Sequence, residues 1–454
     1  MTLIKSISGI RGTIGGIPGE NLTPLDIVRF TAAFCRLLSA KGRPTIVVGR
    51  DARISGEMVN KLVCGSLQAM GANVIDLGLS TTPTVEMAVP ALAAQGGIIL
   101  TASHNPAQWN ALKLLNEKGE FISAADGKRL LDIANSDDFS FADVHSLGTY
   151  ALDQSWIARH IEMILQQPLI NKEAIAHAGL VVVVDAVNST GGIAVPALLR
   201  ALGVKEVHEL YCHPDGHFPH NPEPLPEHLG ELSRMVVDKG AHLGISVDPD
   251  VDRLALVDEN GHMFGEEYTL VAVADYVLKH QPGNTVSNLS STRALADVTA
   301  RYGGSYAASA VGEVNVVELM KATNAVIGGE GNGGVIWPAL HYGRDALAGI
   351  ALFLSHLATS NMSCAQLRQT YPAYFMSKNK IELKPGTDVD AVLQKVIARF
   401  MHEKINTIDG VKIDFAHGWV HLRKSNTEPI IRIYSEGNSP DSAEQLAQLV
   451  MDVI

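Results

Sequence analysis

The feature that most restricts the fold of this chain is a theme written three times along it. Each copy is an apolar strand, a helix, a second strand opened by glycine, and a third strand that ends in a polar loop. The first copy uses 45–49, a helix near 55–70, 71–76 and 98–106; the second uses 180–185, helix 193–202, 203–210 and 243–253; the third uses 285–289, helix 292–302, 304–310 and 325–334. Strands alternating with helices predict α/β units with mainly parallel sheets. Sheets of that kind hold ligands outside the carboxyl ends of their strands, where the three polar loops fall. From about Gln369 the texture changes. Strand 381–383, helix 388–401, strands 411–414, 418–423 and 430–435, and a final helix 442–453 predict a smaller α+β domain. A chain of 454 residues is too long for one hydrophobic core, so we expect four domains, at 1–150, 151–256, 257–368 and 369–454.

Composition narrows what such a chain can serve. With 46% apolar and 19% charged residues it reads as an ordinary globular enzyme, and its apolar runs, such as 180–184, are far shorter than a bilayer span. Residues 1–12 hold no apolar stretch of the signal-peptide kind. Cys35, Cys64, Cys212 and Cys364 lie far apart with no Cys-x-x-Cys pair, which argues for reduced thiols in a cytoplasm. The net charge of −12 disfavours nucleic acid or an anionic membrane as partner. A small anionic ligand would need positive charge gathered locally. Monomer and homodimer both stay open.

Four loops carry chemistry. Thr101-Ala-Ser-His-Asn-Pro106 closes an apolar run, and Pro106 keeps Asn105 out of helix, so Ser103 is offered on an open loop. A plain strand-to-helix connection is the bland reading. Asp248-Pro-Asp-Val-Asp-Arg253 sets three carboxylates at alternate positions, which in an extended loop share a face and can converge on one hard cation, Mg2+ or Ca2+, with Arg253 beside it. A solvated acidic turn is the rival. An EF-hand, with Glu259 as its twelfth residue, fails because Arg253 stands where the sharp turn needs glycine and 254–258 reads as a strand. Gly329-Glu-Gly-Asn-Gly-Gly334 permits close backbone approach while Glu330 and Asn332 offer groups to sugar hydroxyls, or it is a glycine-rich turn. Arg423, Ser425, Asn426 and Thr427 suit a phosphate dianion. Arg11 adds a cation in Ser8-Gly-Ile-Arg-Gly12. His213, His217 and His220 have zinc-like spacing but sit in a proline-rich turn with no fourth ligand nearby, so zinc is not expected.

With these four loops in this order, the chain resembles the α-D-phosphohexomutase family over essentially its whole length. The resemblance implies three α/β domains and a smaller C-terminal domain around a central cleft. It implies that Ser103 carries a phosphate, that Asp248, Asp250 and Asp252 hold Mg2+ together with an oxygen of the phosphorylated Ser103, and that Glu330 and Asn332 contact the sugar. Arg423, Ser425, Asn426 and Thr427 match the phosphate-binding loop, with Arg432 closing its motif, and Arg11, Lys113 and Arg253 match cations of the cleft. The implied reaction passes phosphate from Ser103 to a sugar monophosphate, through a hexose 1,6-bisphosphate, and back to Ser103. Lys113 or His104 moves the hydroxyl proton; Lys113 is preferred, provided surrounding cations lower its pKa. One departure stands out. Many bacterial members end the sugar loop in Ser-Gly-His, whereas this chain has Asn332-Gly-Gly334. That form, with Tyr342-Gly-Arg-Asp345, resembles the archaeal-type phosphoglucosamine mutases, so the expected substrate is glucosamine 6-phosphate. A phosphoglucomutase/phosphomannomutase of broad sugar specificity is the alternative, and a Ser-dependent metal phosphatase or a non-catalytic sugar-phosphate binder are rivals of another class.

Overall fold

The computed structural model describes residues 2–6, 9–39, 42–383, 388–424 and 430–454. The chain forms two compact units, the first made of Met1–Thr269 with Asn332–Leu367 and the second of Leu270–Gly331 with Arg368–Ile454. Among the described residues no helix is long and apolar enough to cross a membrane.

In the first unit, strands β1 (Ile4–Ser6), β2 (Gly9–Thr13), β3 (Thr45–Arg50), β4 (Asn73–Leu79), β5 (Gly96–Leu100), β6 (Trp109–Leu115) and β7 (Tyr150–Leu152) form a seven-stranded sheet in the order β1-β2-β6-β5-β3-β4-β7. β5, β3, β4 and β7 are parallel, and β6, β2 and β1 continue the sheet antiparallel. β3 and β5 are near-continuous apolar runs because parallel strands are covered on both faces. Gly49 shows how close that cover is: a Cβ there would lie 2.5 Å from Val85 of the buried helix Thr82–Ala91. This helix was not expected from the sequence. It is apolar nearly all round, so it lacks the one-sided period that marks a surface helix.

A second sheet in the same unit contains β8 (Val181–Asp185), β9 (Glu206–Leu210), β10 (Leu243–Val247) and β11 (Leu254–Asp258), in the order β11-β10-β8-β9. The first two α/β segments share a device. The third strand stops at Leu100 and at Val247, where the sequence placed the end of each apolar run, a polar loop follows, and an antiparallel strand, β6 or β11, returns alongside. Each loop is thereby tethered at both ends by the sheet.

The second unit holds the parallel strands β12 (Asn284–Asn288), β13 (Tyr306–Ser309) and β14 (Ala325–Glu330). The next short strand, β15 (Gly334–Ile336), belongs to the first unit. The remaining strands of the second unit are β16 (Phe375–Glu382), β17 (Lys404–Asn406), β18 (Val411–Phe415), β19 (Gly418–Lys424) and β20 (Ile430–Gly437), an antiparallel sheet ordered β16-β20-β19-β18-β17. Val411, Ile413, Val420, Leu422, Ile431 and Ile433 bury against helices Val389–Arg399 and Pro440–Met451. β16 begins six residues before the expected 381. Its Phe-Met-Ser-Lys-Asn-Lys start is half exposed at the sheet edge and has little apolar alternation to find. Three α/β segments and a smaller α+β segment, the class expected from the sequence, are all present.

Candidate functional site

Ser103 lies in the turn after β5 with φ at +50°, a left-handed conformation that a residue with a side chain rarely adopts. A buried strap holds it there. Asp51 Oδ2 accepts from Thr101 Oγ1 at 2.7 Å and from Arg53 Nε at 3.0 Å, and the fully buried Arg53 guanidinium then donates to the carbonyls of Ser103, Asn105, Pro106 and Trp109. Four carbonyls of one loop thus point at a single planar fork. Phe218 stacks on the Arg53 guanidinium at 5.2 Å. Asp51 and Arg53 were not singled out from the sequence. Their only signal is an Asp-x-Arg directly after an apolar strand.

The Ser103 hydroxyl donates to Asp248 Oδ2 at 2.7 Å, which joins the loop after β5 to the loop after β10. Asp248, Asp250 and Asp252 are all fully buried, each offering an oxygen within 4.8 Å of the others. Their loop is over-determined from outside. Thr82 donates through N–H and hydroxyl to Asp250 O and Oδ2, Ser189 and Thr190 donate to Pro249 O, and Val251 is itself left-handed at φ +65°. Strain of this kind, at a β-branched residue, persists only where the surroundings enforce it. Burial, then repulsion from Asp252 and Asp250, pushes the Asp248 carboxyl well above the usual carboxylate range. Burial acts on Asp252 in the same sense, but Arg344 and Lys113 outweigh it and hold Asp252 below that range. The set fits a hard divalent cation: it is oxygen-only, and Asp250 Oδ1 and Asp252 Oδ1 have no hydrogen-bond partner among the described residues. The EF-hand reading is excluded, since 254–258 is strand β11 and Glu259 instead accepts from Ser363 and from the Ala365 N–H at the start of helix Cys364–Gln369.

One expectation is corrected here. Lys113 donates to Asp250 Oδ2 at 2.7 Å and to Asp252 Oδ2 at 3.3 Å. Burial would lower its pKa, but the two carboxylates more than offset that and raise it, so Lys113 is held as an ammonium. The nearby cations do not prevail because the carboxylates are closer. His104 is the reverse case. Burial, followed by Arg253, pushes its pKa well below the usual imidazole value, so the ring is neutral at pH 7, with Nδ1 3.4 Å from Ser103 Oγ. Arg11 donates to Asn105 Oδ1 at 3.2 Å, and Arg253 donates to Glu223 Oε1 at 2.9 Å. Burial, then Arg253, also lowers the Arg11 pKa, with Arg344 acting in the same sense, the mark of cations crowded together. Arg344, given no role in the sequence beyond its place in Tyr342-Gly-Arg-Asp345, donates to Asp252 Oδ2 at 2.8 Å.

Asn332, in the first unit, uses Oδ1 to accept the Gly334 N–H at 3.2 Å. In the second unit Glu330 is buried at the end of β14, where Oε1 accepts from Asn288 Nδ2 and the Gly312 N–H. Arg423 stands directly across the β19–β20 ladder from Arg432, and Arg432 stands across the β16–β20 ladder from Lys380. Like charges directly opposite one another repel, and a dianion would neutralise the row. Lys380 was not anticipated. Ser425, Asn426 and Thr427 lie outside the described residues.

Nearby, His421 is 1% exposed, with Nδ1 2.8 Å from Ser290 Oγ and Nε2 2.6 Å from the Asp409 carbonyl. Burial pushes its pKa down to about 4. The folded state therefore refuses a proton that the unfolded state takes at about pH 6.5, so this contribution to stability is intact above that value and is lost as pH falls toward 4. Urea unfolding of the second unit should weaken by roughly 2–3 kcal/mol between about pH 7 and about pH 4. His421→Gln should flatten that slope, and an equal slope in the variant would assign the acid sensitivity elsewhere.

Two groups of histidines lie elsewhere in the first unit. His213, His217 and His220 do not converge: His220 Nε2 pairs with Asp185 at 3.0 Å and His213 with Asp215 at 3.2 Å. His160 and His341 both place Nε2 on Asp345 Oδ2, at 3.0 and 3.3 Å, while Asp345 Oδ1 caps helix Ala346–Ser360.

Comparison with known proteins yields one family along the whole chain. Models of the phosphoglucomutase/phosphomannomutase alpha/beta/alpha domains I, II and III match residues 4–141, 158–261 and 265–374, and the model of the C-terminal domain matches 378–453. A phosphoglucomutase/phosphomannomutase of Thermococcus kodakarensis is 37% identical over 446 residues, covering 96% of each chain. A phosphoglucosamine/phosphogalactosamine mutase of Sulfurisphaera tokodaii is 31% identical over 452 residues, covering 98% of each. The crystal structure of a phosphoglucomutase/phosphomannomutase family protein from Burkholderia thailandensis superposes with a TM-score of 0.85 at 26% identity, covering all of this chain and 97% of that one.

Proposed function

The chain belongs to the phosphoglucomutase/phosphomannomutase family of phosphohexomutases, enzymes of the isomerase-type phosphotransferase class, and from that premise we propose that it moves phosphate between O6 and O1 of glucosamine phosphate by way of Ser103. The observation that carries the reading is the 2.7 Å hydrogen bond from the Ser103 hydroxyl to Asp248, inside a ring of buried carboxylates and cations. Ser103 Oγ gives its phosphoryl group to a sugar hydroxyl: the P–O bond to Ser103 breaks, the P–O bond to the sugar forms, and the hydroxyl proton passes to a neutral base. His104 supports that last role better than Lys113, because only the imidazole is unprotonated at neutral pH. The resulting 1,6-bisphosphate turns over and returns its other phosphate to Ser103. Arg11 and Arg253 balance the anion at the reacting end; in the second unit Arg423 and Arg432, with Lys380 in the same row, suit a phosphate. Asp248, Asp250 and Asp252 would hold a magnesium ion, which when bound supplies neutralisation of charge on the transferring group.

Supporting the amino sugar are the Asn332-Gly-Gly334 form of the sugar loop and the name carried by the Sulfurisphaera relative. Broad phosphoglucomutase/phosphomannomutase activity is a second reading, favoured by the name of the Thermococcus relative. Turnover measured side by side on the 6-phosphates of glucosamine and mannose and on glucose 1-phosphate separates the two. We expect kcat/KM to favour the amino sugar by about tenfold or more, roughly 1.4 kcal/mol of transition-state preference. Equal values would select the broad enzyme, and release of inorganic phosphate without isomerised sugar would select a phosphatase.

A further inference from the structure

Gly334 opens β15, and a Cβ at that position would lie 2.4 Å from Cδ and 3.1 Å from Cγ of Arg344. The aliphatic stem of Arg344 therefore occupies the space a side chain at 334 would need. The backbone leaves the stem little choice of path. Arg344 bridges Ile336 antiparallel, the Asp345 N–H donates to Val335 O at 2.8 Å, and the Ala346 N–H donates to Val251 O at 3.1 Å, within the aspartate loop itself. Asp345, next along the chain, is locked by two histidines and by the helix it caps. The guanidinium that emerges lands on Asp252 Oδ2, the oxygen that Lys113 also reaches at 3.3 Å, while Asp252 Oδ1 has no hydrogen-bond partner among the described residues. One oxygen of this carboxylate is thus given to cations of the protein and the other is left without a hydrogen-bond partner among the described residues.

We propose that Arg344, threaded over Gly334, is a positioning residue that divides the Asp252 carboxylate between protein and metal and tilts the site's charge balance from cation toward anion. The inference rests on the mutase reading above. Arg344 Nη2 lies 2.8 Å from Asp252 Oδ2, so its charge weakens the site's hold on a divalent cation and in the same place adds to the positive charge that holds a phosphoryl anion. An ion pair serving the fold alone would change both affinities together or neither. It would also have no dependence on the size of residue 334.

The test measures binding, without turnover, of Mn2+ and of inorganic phosphate to the full-length protein. Arg344→Met should bind Mn2+ about threefold or more tighter and phosphate about tenfold or more weaker. Gly334→Ala, which removes no charge but fills the path of the stem, should shift both in the same opposed senses. In Gly334→Ala/Arg344→Ala, compared with Arg344→Ala, the alanine at 334 should add nothing, because the stem it would displace is gone. Should Arg344→Met fail to fold, Gly334→Ala carries the same test. Shifts in one direction for both ligands, no shifts, or full additivity in the double variant would overturn the proposal. If the wild-type protein binds neither Mn2+ nor phosphate, the mutase reading fails first; if it binds both and the variants do not diverge, Arg344 alone loses its role.

Discussion

Ser103→Ala is expected to lower mutase turnover by about 10^4-fold or more while the protein stays folded. The hydroxyl is the group that would carry the phosphoryl, and its side-chain partners are Asp248 and the His104 ring. Everything that shapes the loop is backbone: the Ser103 N–H donates to Thr101 Oγ1 at 2.9 Å, and its carbonyl accepts from Arg53. Alanine keeps those bonds and has the same Cβ, so the left-handed φ of +50° costs it no more than it costs serine. Ser103→Gly sharpens the contrast. Left-handed backbone costs an L-residue about 1–2 kcal/mol, and glycine escapes that at an entropic cost of roughly 0.5–1 kcal/mol. The glycine variant, which lacks the same hydroxyl, should therefore be as stable as Ser103→Ala or slightly more so, and equally inactive. Chemical denaturation paired with a coupled mutase assay reads both quantities. Full turnover by Ser103→Ala would end the phosphoserine scheme.

The loops were legible in the sequence because each is a polar ending on an apolar run, and the alternation of Asp248, Asp250 and Asp252 declares a shared face by itself. What supports them was not. Arg53 acts on four carbonyls about fifty residues away, and no local pattern announces that a lone Arg after a strand will find them. Arg344 matters because Gly334 lies under it, a relation that exists only once β15 and the turn to Asp345 are folded. For Lys113 the sequence supplied the right neighbours and the wrong sign. Counting cations around it suggested a lowered pKa, while the distances of 2.7 and 3.3 Å to Asp250 and Asp252 decide the opposite. Helix Thr82–Ala91 escaped notice for the reason that makes it useful: buried from Thr82 through Val89, it has no solvated polar face, yet Thr82 at its start is what holds Asp250. In the second unit the cationic row of Lys380, Arg432 and Arg423 depends on strand register, which a list of charges along the chain does not contain.

Asp248→Asn should lower metal-dependent turnover by about 10^3-fold or more and, in metal-free buffer at neutral pH, should raise stability by roughly 1–3 kcal/mol. Both effects come from one negative charge. Burial and the charges of Asp252 and Asp250 keep the Asp248 carboxyl protonated to higher pH in the folded protein than in the unfolded chain. Its contribution to stability is therefore full below the ordinary carboxylate value of about 4 and is lost as pH rises through the folded value. Asparagine removes that loss. Its amide oxygen can still accept the Asp252 and Arg253 N–H groups, each now 3.1 Å from Asp248 Oδ1, so the turn survives the exchange. Magnesium should reverse the order: a cation bound to the folded state alone stabilises the wild type by mass action, and the variant, short of a ligand charge, gains little. Thermal melts of the two proteins with and without magnesium should therefore cross. Parallel curves would mean that Lys113, Arg253 and Arg344 already balance the three carboxylates, and that the loop is built for the fold rather than for a metal.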